Sequence, residues 1–166
     1  MNDSEPFKRA SAAALRYLAY RPRSESEVRK RLMGRFPPDI VEGVIDGLAQ
    51  RGLADDTRFA ELWADSRNRL NPRSASAIRR ELVSKGVARD IAECAVREVD
   101  DQDAAYSAGS KHARRLSEAD STTFRRRLWG YLRRRGFSSS VSRGTIDRLW
   151  DERQESADDP ESPDGR

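Results

Sequence analysis

One cysteine and one histidine stand among 166 residues, and their scarcity removes whole classes of chemistry. A single thiol, Cys94, excludes an internal disulfide and points to a reducing compartment. Its neighbours Ile91, Ala95 and Val96 mark it as a small buried residue. His112 has no second histidine or cysteine with which to share an ion, so no metal site is expected. There is no glycine-rich phosphate loop, no nucleophile elbow and no pair of carboxylates in an apolar setting. Neither a catalytic residue nor a cofactor is therefore expected, and the chain does not read as an enzyme. Asp55-Asp56 could suggest a cation, but two acids at a helix start favour the dipole and cap the end. No run approaches the roughly 20 apolar residues of a membrane span. The polar stretch from Met1 to Arg9 is unlike a signal peptide, which makes the cytoplasm the expected compartment. No segment reads as a convincing strand.

Apolar and charged residues each make up 36% of the chain, a lean core with a large solvated face. From Asp151 to Arg166 seven acids oppose two arginines, a balance of −5. With a chain total of +4, the preceding residues carry +9. A basic body suits a polyanion or an acidic protein surface.

A short pattern is written three times at a spacing of about fifty residues. Val28, Ile78 and Leu128 lie fifty apart, as do Leu32, Leu82 and Leu132. Pro22-Arg23-Ser24 matches Pro72-Arg73-Ser74, and Lys85-Gly86-Val87 matches Arg135-Gly136-Phe137. With one residue deleted in the first copy, Ile40 matches Ile91 and Val141, and Leu48 matches Val99 and Leu149. Tandem similarity at this period means small supersecondary units that complete one another's cores.

Each unit reads as three helices. In the first, Phe7, Ala14, Leu15 and Leu18 share a face that ends before Arg21-Pro22. Ser24 with Glu27 forms a capping box before a helix bearing Val28, Leu32 and Met33. Asp39 caps the third, with Ile40, Val44, Ile45 and Leu48. In the second unit Asp55 or Asp56 opens a helix with Phe59, Leu62, Trp63 and Ser66 facing inward. The following helix presents Ile78 and Leu82 and stops at Lys85-Gly86, and Asp90 caps the next. In the third unit Asp103 leads an alanine-rich helix, followed by helices from Thr122 or Thr123 to Arg135 and from Ser140 to Glu152. The expected fold is all-α, an elongated array of three tandem three-helix repeats. Its expected bounds are 7–53, 54–101 and 102–152, between a disordered 1–6 and a disordered acidic tail, 153–166.

On a wheel of about 100° per residue, Phe124, Leu128, Tyr131 and Leu132 cluster on one side of the third repeat's second helix. Arg126 and Arg133 project opposite, Arg127 and Arg134 lie on a flank, and Arg125 sits nearer the core. Six arginines occupy this helix, and no acid stands between Thr122 and Gly144. In the matching helices Arg29 and Lys30 align with Arg79 and Arg80, and Lys85 ends the second. The basic surface is thus assigned to Arg79, Arg80, Lys85, Arg125, Arg126, Arg127, Arg133 and Arg134. Trp63 lies in the register of Phe59 and reads as core, and Trp150 closes the last helix. Trp129 lies between arginines, about 100° off the core direction, and reads either as a surface aromatic or as a residue packed between modules.

The middle of the chain, Leu53-Ala54-Asp55-Asp56-Thr57-Arg58-Phe59-Ala60 with Trp63 and Arg67, resembles the RecX family of recombination regulators. The resemblance continues through Ala77-Ile78-Arg79-Arg80-Glu81-Leu82 to Lys85-Gly86-Val87 and covers roughly residues 10–150. Ser74-Ala75 departs from the glycine that members often place before this helix. The resemblance adds Arg67 to the binding surface. It implies a protein that binds the RecA recombinase and the RecA–single-stranded DNA filament, with weak direct contact to single-stranded DNA; no segment reads as a dedicated dimer helix, so a monomer is expected. It further implies inhibition of RecA ATPase, strand exchange and coprotease activity, tempering recombination and the SOS response. The alternative is a direct DNA-binding helix-turn-helix-type repressor. Against it, base readers mix Asn and Gln with Arg, whereas these helices carry arginine almost alone.

Overall fold

The computed structural model describes residues 4–158, and all regular structure among them is helical. The first repeat contains α1 (Glu5–Tyr20), α2 (Glu25–Met33) and α3 (Pro38–Gln50). The second contains α4 (Asp56–Leu70), α5 (Ala75–Ser84) and α6 (Arg89–Ala95). The third contains α7 (Asp101–Ala113), a 3-10 turn over Arg114–Leu116, α8 (Ser121–Arg134) and α9 (Ser139–Asp158). Three tandem three-helix domains are therefore present. The chain divides into two compact units, with divisions within α4, within α5 and between α6 and α7. One unit runs to Ser66 and includes Ile78–Glu98, and the other joins Arg67–Ala77 to the chain from Val99.

In the first unit α1 packs on α3 and α2. Ala10, Ala14, Val28, Leu32, Val41, Val44, Ile45 and Leu48 are buried together, with Phe7 and Leu18 at the margin. In the second unit α7, α8 and α9 enclose Phe124, Leu128, Leu132, Phe137, Ile146 and Leu149. Close approach of α7 depends on small residues. A Cβ on Gly109 would stand 2.9 Å from Leu149 Cδ1.

Several expectations from the sequence are corrected here. Leu15, Met33 and Leu62 are exposed, and Ser66 with them. The first helix of each of the first two repeats instead buries an alanine pair, Ala10 with Ala14 and Ala60 with Ala64. Alanine lets the helix axis come close, which turns the neighbouring leucine outward. Cys94 is exposed, since α6 is only seven residues long and buries Ala92 instead. Asp39 and Asp90 lie in first turns without capping, and Asp100 rather than Asp103 caps α7. Glu5 and Pro6 are already helical, because proline is well suited to a first turn. At the other end α9 continues six residues past Glu152 to Asp158. The rest of the expected disordered ends, 1–3 and 159–166, lies outside the described residues.

The joints between repeats follow one plan, seen once in each unit. Ser24 is fully buried, and its Oγ accepts from the Glu27 amide while the Glu27 carboxylate accepts from the Ser24 amide. The same hydroxyl donates to the Lys85 carbonyl at 2.6 Å, one residue past α5. The next amide, Glu25, donates to Asp56 Oδ1 at 2.9 Å. Gly86, at φ +84°, lies so close that a Cβ would meet Ser26 Cβ at 2.3 Å. In the other unit Ser74 is buried, its Oγ accepts from the Ala77 amide and its own amide donates to the Arg135 carbonyl. Ala75 donates to Asp101 Oδ1 at 2.7 Å. Gly136 follows with φ +89°. Each joint sets the carbonyl end of one helix against the amide end of another, which is also favourable for their dipoles.

α8 departs from the plan. It has 14 residues against nine in α2 and ten in α5, starts earlier, and is capped by exposed Asp120 accepting from the Thr123 amide.

Ser24→Ala and Ser74→Ala should each lower stability by about 1–2 kcal/mol, since each removes a cap from a buried site. Gly86→Ala should cost more than about 1 kcal/mol through its positive φ and the contact with Ser26. Urea unfolding monitored by circular dichroism measures all three, and midpoints equal to wild type would contradict the role given to the joints.

Candidate functional site

The α8 sequence dictates its own surface. Phe124, Leu128 and Leu132 recur every four residues and are buried, which leaves the arginines between them to solvent. Arg126, Arg127, Arg133 and Arg134 are exposed, whereas Arg125 is half-buried. Arg125 is tied to Asp147 of α9, and Arg133 donates to the Phe137 carbonyl. Arg126, Arg127 and Arg134 have no ion pair among the described residues, and neither does Arg143 on α9. Arg135, at the end of the helix, serves the joint: it donates to Asn71 Oδ1 and the Pro72 carbonyl and lies 4.5 Å from the Tyr131 ring.

Two flanks of α8 gather different neighbours. On one, Arg125, Arg126, Trp129, Arg143 and Ile146 line a shallow hollow of about 350 Å3. The indole of Trp129 remains 36% exposed, with the Arg133 guanidinium 5.9 Å from its ring centre. Trp150 instead packs against Phe124, and Trp63 against Phe59, as residues that complete a core. On the other flank His112 stacks on Tyr131 at 4.0 Å with nearly parallel rings. Burial pushes the imidazole below its ordinary value, and the charges of Arg115, Arg134, Arg135 and Arg127 push it the same way.

The α5 residues behave differently. Arg79 reaches Glu93 at 3.4 Å, and Arg80 is exposed without an ion pair among the described residues. Lys85 is held in the joint, 3.6 Å from Glu27 and 4.3 Å above the Trp63 ring, whose indole N–H donates to Glu81. Arg67 is half-buried and already engaged by neighbouring groups. The assigned surface thus separates by role. Arg80, Arg126, Arg127 and Arg134 face solvent with their charge uncompensated, while Lys85, Arg125 and Arg133 are engaged by groups of the fold, as is Arg135 outside the assigned set. Arg79 pairs weakly. The sequence reading missed Arg143 and Arg115. Arg143 could have been found as the last cation of the acid-free run, and Arg115 only by knowing that α7 lies beside α8. In the first repeat Arg29 is neutralised by Glu42 through two hydrogen bonds of 2.8 and 3.0 Å.

The first unit offers a second kind of surface. Exposed Leu15, Tyr20, Leu53 and Leu62 line a cleft of about 640 Å3, with Arg21, Arg23 and Arg58 among its walls. No group of His, Cys, Asp and Glu among the described residues could hold a metal ion, and no helix there is long and apolar enough to cross a membrane.

Tandem three-helix units with a bare arginine face and an apolar cleft define an α-helical repeat protein of the interaction kind. Profiles of the RecX family match it successively: the first three-helix domain over residues 10–57, the second over 55–96 and the third over 98–145. The chain belongs to the RecX family. "Regulatory protein RecX" of Prosthecochloris aestuarii is 37% identical over 150 residues, covering 90% of this chain and 98% of that protein. The protein of the same name from Mycobacterium avium is 36% identical over 146 residues, covering 84% of each. The crystal structure of RecX from Lactobacillus salivarius shares the fold, with a TM-score of 0.73 at 24% identity over 87% of this chain and 97% of that one. A regulatory role follows from the family.

The position of His112 makes a pH prediction. A folded-state value below the ordinary 6.5 means that the unfolded chain binds the proton first as pH falls. Stability should therefore be full above the ordinary 6.5 and decline as pH falls from there towards the lower folded-state value. His112→Gln should flatten this part of the profile. In an NMR titration the His112 resonance should also move to higher pKa when a soluble polyphosphate neutralises the arginines, and no movement would separate the histidine from the anion-binding flank.

Proposed function

We propose that this protein binds the RecA recombinase and its filament on single-stranded DNA and restrains it. On this reading it lowers RecA ATP hydrolysis, strand exchange and coprotease activity, and so tempers recombination and the SOS response. It acts in the cytoplasm, as a monomer, lying along the filament and touching several protomers together with the bound strand. Membership of the RecX family supports the choice of partner. The observation that carries the reading is α8, where three unpaired arginines face solvent in a stretch, Thr122 to Gly144, that contains no acid. Repulsion among them costs stability in the free protein and is relieved by an anionic partner.

The chemistry of that face favours phosphate charge over base identity. No Asn or Gln stands on α8 beside the arginines to address base edges as a repressor's recognition helix does. In the other unit Arg79 and Arg80 place further cations on α5. The apolar cleft of the first unit gives a protein surface something to bury, which a nucleic acid alone would not use.

Added at well below one copy per RecA protomer, the protein should depress RecA ATP hydrolysis on single-stranded DNA, and added salt should weaken the effect steeply. Reversing Arg79, Arg80, Arg126, Arg127 and Arg134 to Glu should abolish both inhibition and its salt dependence while leaving the helical circular dichroism intact. Undiminished inhibition by the reversed variant would overturn the assignment of these residues.

A further inference from the structure

The repeats share a position pair whose identity changes in the third. In register with Val28, Ile78 and Leu128, the next residues are Arg29, Arg79 and Trp129. In register with Ile40, Ile91 and Val141, the residues two further on are Glu42, Glu93 and Arg143. In the first two repeats the pair is an ion pair between the second and third helices, Arg29 with Glu42 and Arg79 with Glu93. In the third repeat the arginine has become tryptophan and the glutamate has become arginine. The two still come together, since Trp129 and Arg143 line the same hollow. A structural bridge has been replaced by an exposed indole beside an uncompensated cation.

The hollow is built for a flat, electron-rich group attached to negative charge. Its base includes buried Ile146, and the indole forms a wall. Arg126, three residues before Trp129 and therefore on the same side of α8, supplies a second unpaired guanidinium. Arg125 is anchored to Asp147 and Arg133 to the Phe137 carbonyl, and the Arg133 guanidinium stands 5.9 Å from the centre of the indole ring. A protein carboxylate would be satisfied by the arginines alone and would gain nothing from an exposed indole. A base in a duplex has both faces covered by its neighbours. An unstacked base offers a ring face to the indole while its phosphates meet the guanidinium groups.

We propose that Trp129, with Arg126 and Arg143, forms a stacking seat for an unpaired nucleobase of a single-stranded nucleic acid. The seat deepens the reading of the arginine face as the surface that meets the bound strand. It operates without RecA, so its failure would leave the inhibition of RecA standing as a separate matter.

The test compares two labelled strands of equal length at fixed salt in the absence of RecA, one of oligothymidine and one fully abasic. Both present the same phosphates, and only the first can stack. The wild-type protein should bind oligothymidine about 5- to 10-fold more tightly, the lower range for one stacked base. Trp129→Ala should remove that preference while leaving affinity for the abasic strand within about twofold. Trp129→Phe should retain part of the preference. Arg126→Ala with Arg143→Ala should weaken binding of both strands alike. Intrinsic fluorescence gives a second readout, because oligothymidine should quench the wild type and not Trp129→Phe, in which Trp63 and Trp150 remain. Equal binding of the two strands by wild type would overturn the proposal, as would a preference that survives Trp129→Ala. RecA ATPase inhibition measured on Trp129→Ala reports separately on the reading of the whole protein.

Discussion

A serine hydroxyl with two obligations organises the joint of the first unit. Ser24 caps the start of α2 by accepting from the Glu27 amide, and it reaches the Lys85 carbonyl of the following repeat with its only proton. A buried hydroxyl must find partners, and here both its donor and its acceptor functions are used across a helix end. The glycine after that carbonyl is required twice, by its left-handed conformation and by the lack of room for a Cβ beside Ser26. Glu27 completes the arrangement. Burial alone would raise its carboxyl, but the hydrogen bonds from Arg21 and the Ser24 amide, with the charge of Lys85, hold it below the usual range. A cation that looks in sequence like part of a binding surface is thus committed to architecture.

This commitment explains how arginines of one composition serve two purposes. Arg135 and Arg125 satisfy carbonyl or carboxylate groups of their own unit, while Arg126, Arg127 and Arg134 do not. Charge left uncompensated on a folded surface is a standing cost unless something negative offsets it. Its concentration on α8, next to a histidine whose proton affinity it depresses, makes the third repeat the electrostatic centre of its unit. The first repeat shows the contrast, with Arg29 closed against Glu42.

Much of this could be read from the chain because the large apolar residues repeat. Val28, Ile78 and Leu128 located the second helices, and each is fully buried. The capping box at Ser24 was visible from the spacing of serine and glutamate alone. Alanine concealed the rest. Hydrophobic patterning weights leucine above alanine, so Leu15 and Leu62 were placed inward; Ala14 was read with them, but the buried Ala10, Ala60 and Ala64 were not. The division of the arginines was hidden for another reason. Whether a guanidinium is free depends on acids and carbonyls far away in sequence, such as Asp147 for Arg125 and Asn71 for Arg135. For Trp129 the chain left exposure and packing between modules both open, and its partner Arg143 emerges only when α8 and α9 are seen side by side.

The extra turn at the start of α8 gives the joint a grammatical direction. Where Ser24 and Ser74 wait for a neighbour's final carbonyl, the third repeat has already spoken for its own helix start through Asp120, facing water. The helix whose start takes no neighbour's carbonyl is also the one whose outer face carries the uncompensated arginines, so what the coupling released, charge has occupied.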